Sequence, residues 1–143
     1  MLFGVPYKSF SKRAFDLTVG AALLMLCLPI MLCIAALIKL DSSGPMIFSQ
    51  TRLGQYKKPF RIFKFRTMYH HSACEHDITV GNDSRITKIG KLLRQYRLDE
   101  LPQLFNVLRG EMSIVGPRPL VPGVAEHFPR EFEASLKVKP GIT

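Results

Sequence analysis

"LTVGAALLMLCLPIMLCIAALI", residues Leu17 to Ile38, is the stretch of the chain that decides the fold. It is an uncharged run of 22 residues, which is long enough to cross the hydrocarbon core of a bilayer as a helix. A cleaved signal peptide fits less well, because the run is longer than a usual apolar signal region and no convincing small-residue cleavage site follows it. The sequence therefore predicts a protein that meets a membrane through this segment.

Pro29 lies near the centre of the apolar run. A proline inside a helix removes one backbone donor and clashes with the preceding turn, so we expect a kink there. Basic residues flank the run on both sides, and the positive-inside rule draws both of its ends toward the cytoplasm. They are Lys8, Lys12 and Arg13 before the run and Lys39, Arg52, Lys57, Lys58, Arg61, Lys64 and Arg66 after it.

This charge pattern predicts a re-entrant helical hairpin that bends at Pro29 and returns to the same face. Each arm of about 11 residues rises about 1.5 Å per residue and reaches about 16 Å, halfway into the hydrocarbon core. A kinked helix that crosses the bilayer once stays open as the alternative, since prolines do occur in spanning helices.

Composition bounds the rest of the molecule. A chain of 143 residues holds one domain with a modest core and an appendage rather than two full domains. Its formal charge of +9 indicates an anionic partner, which charge alone leaves open among nucleic acid, anionic lipid and a phosphorylated substrate. Cys27, Cys33 and Cys74 form no CxxC pair, so neither a disulfide framework nor a zinc ribbon is indicated and a reducing compartment fits best.

After Asp41 the chain becomes mixed in polarity. "MIFSQTRLG" and "FRIFKFRTM" are short, rich in aromatic and β-branched residues and separated by "QYKKP", which predicts a small hairpin or a pair of extended segments. Tyr69 to Ser84 follows, and its three histidines and one cysteine lack a second ligand cluster at finger-like spacing, so a polar loop is favoured over a metal site. These side chains are His70, His71, Cys74 and His76.

A basic amphipathic helix is predicted from Arg85 onward. One face carries the apolar stripe, and either an ordinary surface helix or a helix lying at an anionic membrane surface accounts for it. The stripe consists of Ile86, Ile89, Leu92, Leu93 and Tyr96, opposite Lys88, Lys91 and Arg94.

"LDELPQLFNVLRGEMSIVGPRP", Leu98 to Pro119, places two adjacent acids in this basic chain. Asp99 suits the N-cap of a helix that has Pro102 in its first turn and Gly110 at its end, and the helix dipole and nearby arginines are expected to keep it ionised. The apolar stripe of this helix is Leu101, Leu104, Phe105 and Leu108.

Capping explains Glu100 less well than it explains Asp99. Adjacent carboxylates are suited to Mg²⁺, and Arg118, held between two prolines in "GPRP", is suited to bidentate contact with phosphate oxygens. A phosphoryl-transfer site is one interpretation of this block, and a capped helix followed by a rigid turn is the other.

Taken in order, several motifs closely resemble the bacterial sugar transferase family, the monotopic polyprenyl-phosphate phosphoglycosyl transferases. The resemblance runs from about Lys12 to Thr143. The motifs are "KRAFDL", the proline-broken apolar run, "GPMIFSQTRLG", "FRIFKFRTM", "DSRITKIGKLLR", "LDELPQLFNVLRGEMSIVGPRP" and "VKPGIT".

The resemblance implies an activity. Such enzymes move sugar-1-phosphate from a UDP-sugar to undecaprenyl phosphate and so initiate polysaccharide or glycoconjugate assembly. By similarity Asp99 is the nucleophile that carries the phospho-sugar, Glu100 helps to hold Mg²⁺, and Arg94 and Arg118 bind phosphate. Ping-pong kinetics are then expected.

The same resemblance implies a location. Lys12, Arg13 and Pro29 match the basic entry and the break of the family's re-entrant membrane helix. The protein is then expected at the bacterial inner membrane, among membrane lipids and with its active site on the cytoplasmic face. Nucleic acid is not an expected partner, and a homodimer stays open.

Two departures from the family pattern qualify these expectations. The break reads Leu28-Pro29, where some relatives have a serine before the proline that would offer a stabilising hydroxyl. The chain stops at "KPGIT", where relatives continue, and it lacks the extra N-terminal membrane domain of the large relatives. We therefore expect the small catalytic form, C-terminally short.

The sequence thus predicts a mainly α fold with little β. Residues 1–40 form the re-entrant hairpin, and residues 41–143 form a small cytosolic helical catalytic domain with amphipathic interfacial helices. Two alternatives to the transferase are a catalytically inactive or incomplete relative that serves as a membrane-bound assembly subunit, and a membrane-anchored nucleic-acid-binding protein.

Overall fold

The computed structural model describes residues 10–69, 83–123 and 132–142. Within these ranges about half of the chain is helical and one small two-stranded sheet is present, which agrees in part with the predicted mainly α fold. The elements are α1 (Phe10–Asp41), β1 (Ile47–Leu53), β2 (Pro59–Phe65), α2 (Lys88–Gln95), α3 (Gln103–Arg109) and α4 (Glu133–Leu136). Most of the predicted polar loop, including His70, His71, Cys74 and His76, lies outside the described residues.

α1 contains the whole apolar run and is long and apolar enough, by length and composition, to cross a membrane. It is assigned as one uninterrupted helix of 32 residues with Pro29 inside it, so the two separate arms expected on either side of the proline are not distinguished. A proline takes away only one hydrogen bond of the ladder, and a long helix can continue past it.

The described chain groups into two compact units, each described here by itself. The first holds α1 up to Leu26, the inner part of the hairpin (Gln50–Ile62) and the chain from Gln103 onward. The second holds α1 from Cys27 and the segment Phe63–Pro102. The boundaries of these units differ from the predicted domain boundary between residues 40 and 41. The predicted division into a membrane segment and a catalytic domain stays a prediction.

The predicted hairpin is present, and its tip is unusual. β1 and β2 pair in a two-stranded sheet and are joined by a 3-10 turn, Gln55–Lys57. Tyr56 and Lys57 have φ angles of 58° and 60°, in the left-handed region that non-glycine residues rarely adopt. They are the two central residues of the turn that the Lys58 N–H closes on the Gln55 carbonyl at 3.3 Å, and this backbone matches the twist of the strands.

The first unit has an apolar core between the hairpin and α3. Phe60 and Ile62 of β2 are buried with Val107 of α3 and with Met112, which follows it. Asn106 is fully buried beside Val107, and its side-chain amide donates to the Arg61 carbonyl and to Glu111 Oε2, both at 2.7 Å. The buried face of α3 therefore differs from the predicted stripe, since Phe105 is 41% exposed.

Arg13, a predicted membrane-anchoring residue, lies in the first unit and contacts the end of α3. Its Nη1 donates to the Val107 carbonyl at 2.7 Å and its Nη2 to the Leu108 carbonyl at 2.8 Å. Gly110 follows α3 with φ 83°, so it forms the predicted left-handed C-terminal cap. A guanidinium at these carbonyls satisfies acceptors that a helix end leaves without partners. Its positive charge also interacts favourably with the negative end of the helix dipole.

Replacing Arg13 with alanine is therefore expected to destabilise the protein by about 2 kcal/mol, because two charge-assisted hydrogen bonds are lost together. Thermal unfolding in one detergent measures the effect, with Lys12→Ala as the matched loss of a neighbouring positive charge. Equal shifts in Tm for the two variants would contradict a capping role and favour a shared role at the membrane surface.

The second unit holds the last part of α1, the end of the hairpin and α2. Its buried apolar residues include Met31, Ile34 and Ile38 on one face of α1, Phe65 at the end of β2 and Leu93 of α2. α2 confirms the predicted basic helix, but its stripe is only partly buried. Leu93 is 2% exposed, whereas Leu92 is 48% and Tyr96 62% exposed.

Candidate active site

The two adjacent acids lie in a tight turn rather than at the start of a helix. Leu98–Glu100 is a 3-10 turn, in which the Glu100 N–H donates to the Arg97 carbonyl and the Leu101 N–H to the Leu98 carbonyl. α3 begins only at Gln103, after Pro102. The predicted N-cap role of Asp99 is therefore wrong, because a separate turn is completed before the proline and the helix starts beyond it.

Arg97 sets the direction of this turn. Its φ of 55° and ψ of 21° place it in the left-handed region directly after α2 has ended. That conformation costs a non-glycine residue about 1 kcal/mol or more, and such costs tend to persist where the surrounding structure fixes a functional geometry. The turn therefore brings Asp99 and Glu100 back toward the elements of the second unit.

Asp99 is 9% exposed, and its pKa is raised above the ordinary value of 3.8. Burial is the main cause, because it disfavours the charged carboxylate, and Glu100 adds like-charge repulsion. Lys64, the Asp99 backbone N–H and Arg94 act in the opposite direction. The sequence predicted that nearby cations favour the ionised form, and Lys64 and Arg94 do lower the pKa, but burial has the larger effect and the net direction is upward.

The other acid, Glu100, is held by a lysine. Lys64 Nζ lies 2.8 Å from Glu100 Oε1, with side-chain exposures of 22% and 15%. Lys64 belongs to β2, whose neighbouring residue Phe65 is 3% exposed and packs into the core. Alternation along the strand therefore turns Lys64 away from the core and toward the acid turn.

Arg94, the first predicted phosphate-binding arginine, lies in the same unit, in the last turn of α2. Its Nε donates to Thr67 Oγ1 at 2.9 Å, and its charge lowers the pKa of Asp99. Gly90 allows this arrangement, because a Cβ there would stand 2.1 Å from the Thr67 carbonyl oxygen. Only glycine lets α2 lie this close to the strand-like segment that carries Thr67.

Arg118, the second predicted phosphate-binding arginine, lies in the first unit and is exposed. The "GPRP" loop around it is fastened by the "VKPGIT" segment, since the Gly141 N–H donates to the Pro117 carbonyl at 2.9 Å and the Ser113 N–H to the Pro140 carbonyl at 2.8 Å. The structure thus places Asp99, Glu100 and Arg94 together in one unit. Arg118 is held separately, in a stiff loop.

Lys64 and Thr67 are site residues that the sequence analysis missed. Lys64 entered only as one of many positive charges after the apolar run, and Thr67 was not singled out. The available signal was the alternation in "FKFRT", where Phe63 and Phe65 predict one face of a strand and Lys64 and Arg66 the other. Which acid Lys64 meets depends on a tertiary contact and could not be predicted.

The acid pair fits the expected magnesium ion. In the described part of the chain no group of three or more His, Cys, Asp and Glu side chains is arranged to hold a metal. Mg²⁺ nevertheless keeps several waters and takes further ligands from substrate phosphates, so one or two carboxylates suffice. Glu100 accepts the Lys64 ammonium at 2.8 Å, and a magnesium ion at this carboxylate stays a prediction.

The raised pKa of Asp99 has a consequence for stability. A carboxyl whose pKa is higher in the folded protein favours folding below the ordinary value of 3.8, and this contribution disappears as the pH rises through the raised pKa. At pH 7 the buried charge opposes folding, so Asp99→Asn is expected to raise stability by about 1 kcal/mol. The gain should shrink as the pH falls through the raised pKa of Asp99 and vanish below 3.8, where the wild-type carboxyl is neutral in the folded and the unfolded chain.

Paired melting curves of the wild type and Asp99→Asn across pH 3 to 8 measure this difference. Every other titrating group is common to both proteins, so the difference in Tm isolates Asp99. A variant that is less stable than the wild type at pH 7, by an amount independent of pH, would contradict the burial of a charge at this position.

Comparison with known proteins gives a consistent picture. Residues 7–143 match the family model described as bacterial sugar transferase. The chain is 46% identical over 143 residues to the undecaprenyl-phosphate glucose phosphotransferase of Komagataeibacter xylinus, covering 92% of this chain and 26% of that protein. It is 47% identical over 139 residues to the UDP-glucose:undecaprenyl-phosphate glucose-1-phosphate transferase of Escherichia coli K12, covering 92% of this chain and 29% of the relative.

A shorter relative is covered more fully. The exopolysaccharide production protein PSS of Rhizobium leguminosarum is 43% identical over 140 residues, which is 92% of this chain and 70% of that protein. The chain thus spans less than a third of the two named phosphotransferases and about two thirds of this third relative.

Proposed function

The chain belongs to the bacterial sugar transferase family, and from that premise we propose that it transfers sugar-1-phosphate from a UDP-sugar to undecaprenyl phosphate. The observation that carries the proposal is the buried acid turn, in which Asp99 and Glu100 lie within the fields of Lys64 and Arg94. Relatives whose names contain undecaprenyl phosphate and UDP-glucose support the two substrate classes. The Rhizobium relative is named as an exopolysaccharide production protein, which supports a role in polysaccharide assembly.

In the proposed mechanism, an Asp99 carboxylate oxygen attacks the β-phosphorus of the UDP-sugar. The bond between this phosphorus and the bridging oxygen breaks, and UMP leaves with the electron pair. A phosphate oxygen of undecaprenyl phosphate then attacks the aspartyl phosphodiester, which restores the carboxylate and forms the lipid diphosphate sugar. Two displacements through one carboxylate divide a difficult transfer into two easier steps.

The raised pKa of Asp99 gives Lys64 and Arg94 a role in this chemistry. Only the ionised carboxylate is a nucleophile, and both cations favour that form against the cost of burial. Burial in turn leaves the carboxylate poorly solvated and therefore reactive. Lys64 and Arg94 would also stabilise negative charge that develops on the transferring phosphoryl group.

Glu100 is the residue that would hold Mg²⁺, and a bound ion would neutralise the diphosphate of the donor. Its contact with Lys64 fixes the direction of its carboxylate. Arg118, in its fastened loop, is proposed as a second phosphate contact, since prolines on both sides limit the freedom of its backbone.

The proposal includes a membrane location, which α1 and the names of the relatives support. We propose that α1 enters and leaves the bilayer on the cytoplasmic side, bending near Pro29. Pro29 has no backbone N–H to donate to the Met25 carbonyl, which leaves one hydrogen bond of the helix unmade at the proposed bend. The acids then face the compartment that supplies UDP-sugars. Self-association into a homodimer stays a prediction.

Exchange of labelled UMP into unlabelled UDP-sugar, with Mg²⁺ and without undecaprenyl phosphate, tests the proposed function. A covalent intermediate permits this exchange in the absence of the acceptor, whereas direct transfer does not. We expect exchange with at least one member of a UDP-sugar panel, and full turnover when undecaprenyl phosphate is added. Turnover that occurs without any exchange would overturn the two-step mechanism.

A further inference from the structure

Arg66 is a buried arginine in the second unit that the proposed chemistry does not yet use. It is 6% exposed and follows β2, and its backbone N–H donates to the Met46 carbonyl at 2.9 Å. Its Nη2 donates to the carbonyl and the hydroxyl of Ser42, at 2.7 and 2.8 Å, and to the Ile38 carbonyl at 3.4 Å. The guanidinium is therefore fixed against the C-terminal end of α1.

Among the residues that the structure describes, two of its three nitrogens have no hydrogen-bond partner. Nε and Nη1 of Arg66 are shielded from solvent and donate to no described acceptor, and the acceptors on Nη2 are neutral oxygens. Unpaired donors on a buried positive charge cost several kcal/mol unless an anion compensates them. Such a cost in a folded protein points to a ligand that the guanidinium receives.

The position of Arg66 indicates which anion suits it. The arginine is bound to the last residues of the apolar helix, at the level where a membrane-inserted segment gives way to polar chain and where lipid phosphates lie. UDP-sugars are soluble and approach from water. A buried cation at the end of α1 therefore suits the phosphate of a lipid better than that of a soluble donor.

Arg66 is also connected to the acid turn through its chain neighbours. Lys64, two residues earlier, holds Glu100 at 2.8 Å, and Thr67, the next residue, holds Arg94 at 2.9 Å. One short segment thus links the end of α1 to the groups around Asp99. A phosphate received by Arg66 would lie beside the route to the reacting carboxylate.

We propose that Arg66 binds the phosphate monoester of the lipid acceptor. The inference rests on the proposed function, which it deepens by assigning the acceptor subsite. Asp41 Oδ2, also buried and without a hydrogen-bond partner in the described ranges, provides the competing explanation that this carboxylate turns to Arg66 as an internal counter-ion. The two explanations differ in what they predict for Asp41→Asn.

The kinetic test uses the full chain in nanodiscs of neutral lipid. Arg66→Gln is expected to raise the KM for undecaprenyl phosphate by about 10- to 100-fold, the worth of a charge-assisted contact, while the KM for the UDP-sugar changes by less than about threefold. Arg66→Lys keeps the charge and should lie between. Asp41→Asn should leave the acceptor KM unchanged or lower, because it removes a repulsive charge.

The binding test uses Asp99→Asn, which cannot turn over. Undecaprenyl phosphate is expected to raise its Tm, whereas undecaprenol and inorganic phosphate at the same concentration are not. Adding Arg66→Gln should remove the shift. A second set of nanodiscs contains phosphatidylglycerol, whose headgroup phosphate can compete for the subsite. A smaller Tm shift with undecaprenyl phosphate in these nanodiscs would assign the subsite to lipid phosphates in general.

The proposal is overturned if folded Arg66→Lys and Arg66→Gln keep the wild-type acceptor KM, or if Asp41→Asn impairs the acceptor as much as Arg66→Gln does. If Arg66→Gln does not fold, Arg66→Lys decides, and an unchanged acceptor KM and Tm shift in that variant overturn the subsite. Failure of UMP exchange in the wild type would instead reject the proposed function, and the binding test still reports on Arg66.

Discussion

Asp99→Asn is expected to abolish transfer, lowering the rate of UMP release by about 10⁴-fold or more, as removal of a covalent nucleophile does elsewhere. The amide has nearly the same shape but cannot attack phosphorus, and the turn that holds it, Leu98–Glu100, depends on backbone hydrogen bonds that the substitution leaves in place. The rate is obtained by quenching the reaction at successive times and measuring the UMP released from the accepted UDP-sugar in the presence of undecaprenyl phosphate.

Asp83→Asn is the matched control for this substitution. Asp83 belongs to the same unit, and its contacts with Arg85 hold its pKa at about 2, so it is an ionised structural acid. Its replacement should leave UMP release within about threefold of the wild type. Asp99 is not the nucleophile if Asp99→Asn retains a few per cent of the wild-type rate and mass spectrometry excludes deamidation.

Glu100→Gln is expected to have the second-largest effect, a loss of about 10²- to 10³-fold in kcat/KM, the size seen when one preorganised electrostatic group is removed. The amide keeps the volume of the side chain but loses the charge that receives Lys64 and would hold Mg²⁺. The concentration of Mg²⁺ needed for half-maximal rate should rise together with this loss. Titration of Mg²⁺ into metal-stripped protein measures both quantities.

Glu133→Gln tests whether the loss is specific to the acid turn. Glu133 also pairs with a lysine, at 3.0 Å from Lys137 Nζ, but both side chains are 67% exposed. An exposed pair contributes little, and its replacement should change neither the rate nor the Mg²⁺ requirement. An equal Mg²⁺ requirement in Glu100→Gln and the wild type would show that Glu100 does not take part in metal binding.

The elements that local pattern governs were predictable from the sequence. The 22-residue apolar run predicted α1, the aromatic and β-branched segments around "QYKKP" predicted the hairpin, and the basic periodicity from Arg85 predicted α2. Gly110 was expected at the end of α3 and has the left-handed backbone that this position requires. Each of these rests on interactions between residues close in the chain.

The details of the acid turn were not predictable in the same way. The local sequence is compatible with a helix that starts at Asp99 and equally with a 3-10 turn that ends before Pro102. The left-handed backbone of Arg97 belongs to the second arrangement, and local preferences alone do not predict it. The effect of burial on the pKa of Asp99 was not predicted, for a related reason. Charges can be counted along a sequence, whereas burial, the largest cause here, depends on the folded surroundings.

Arg13 illustrates the same limit at the other end of the chain. As a basic residue before an apolar run it predicts contact with lipid headgroups. Its two hydrogen bonds reach carbonyls more than 90 positions away, at the end of α3. No periodicity or spacing links these segments, so only the tertiary structure shows that this arginine caps a helix.

A covalent phospho-sugar on Asp99 can be detected by capturing the labelled protein. Purified protein is mixed with Mg²⁺ and a panel of UDP-sugars that carry radioactive phosphorus in the phosphate attached to the sugar, and is then quenched and separated by electrophoresis. We expect a labelled band with the accepted sugar, its absence in Asp99→Asn, and its discharge by undecaprenyl phosphate. A label that persists in Asp99→Asn, or folded protein that transfers the sugar without ever becoming labelled, would contradict a covalent phospho-sugar on Asp99.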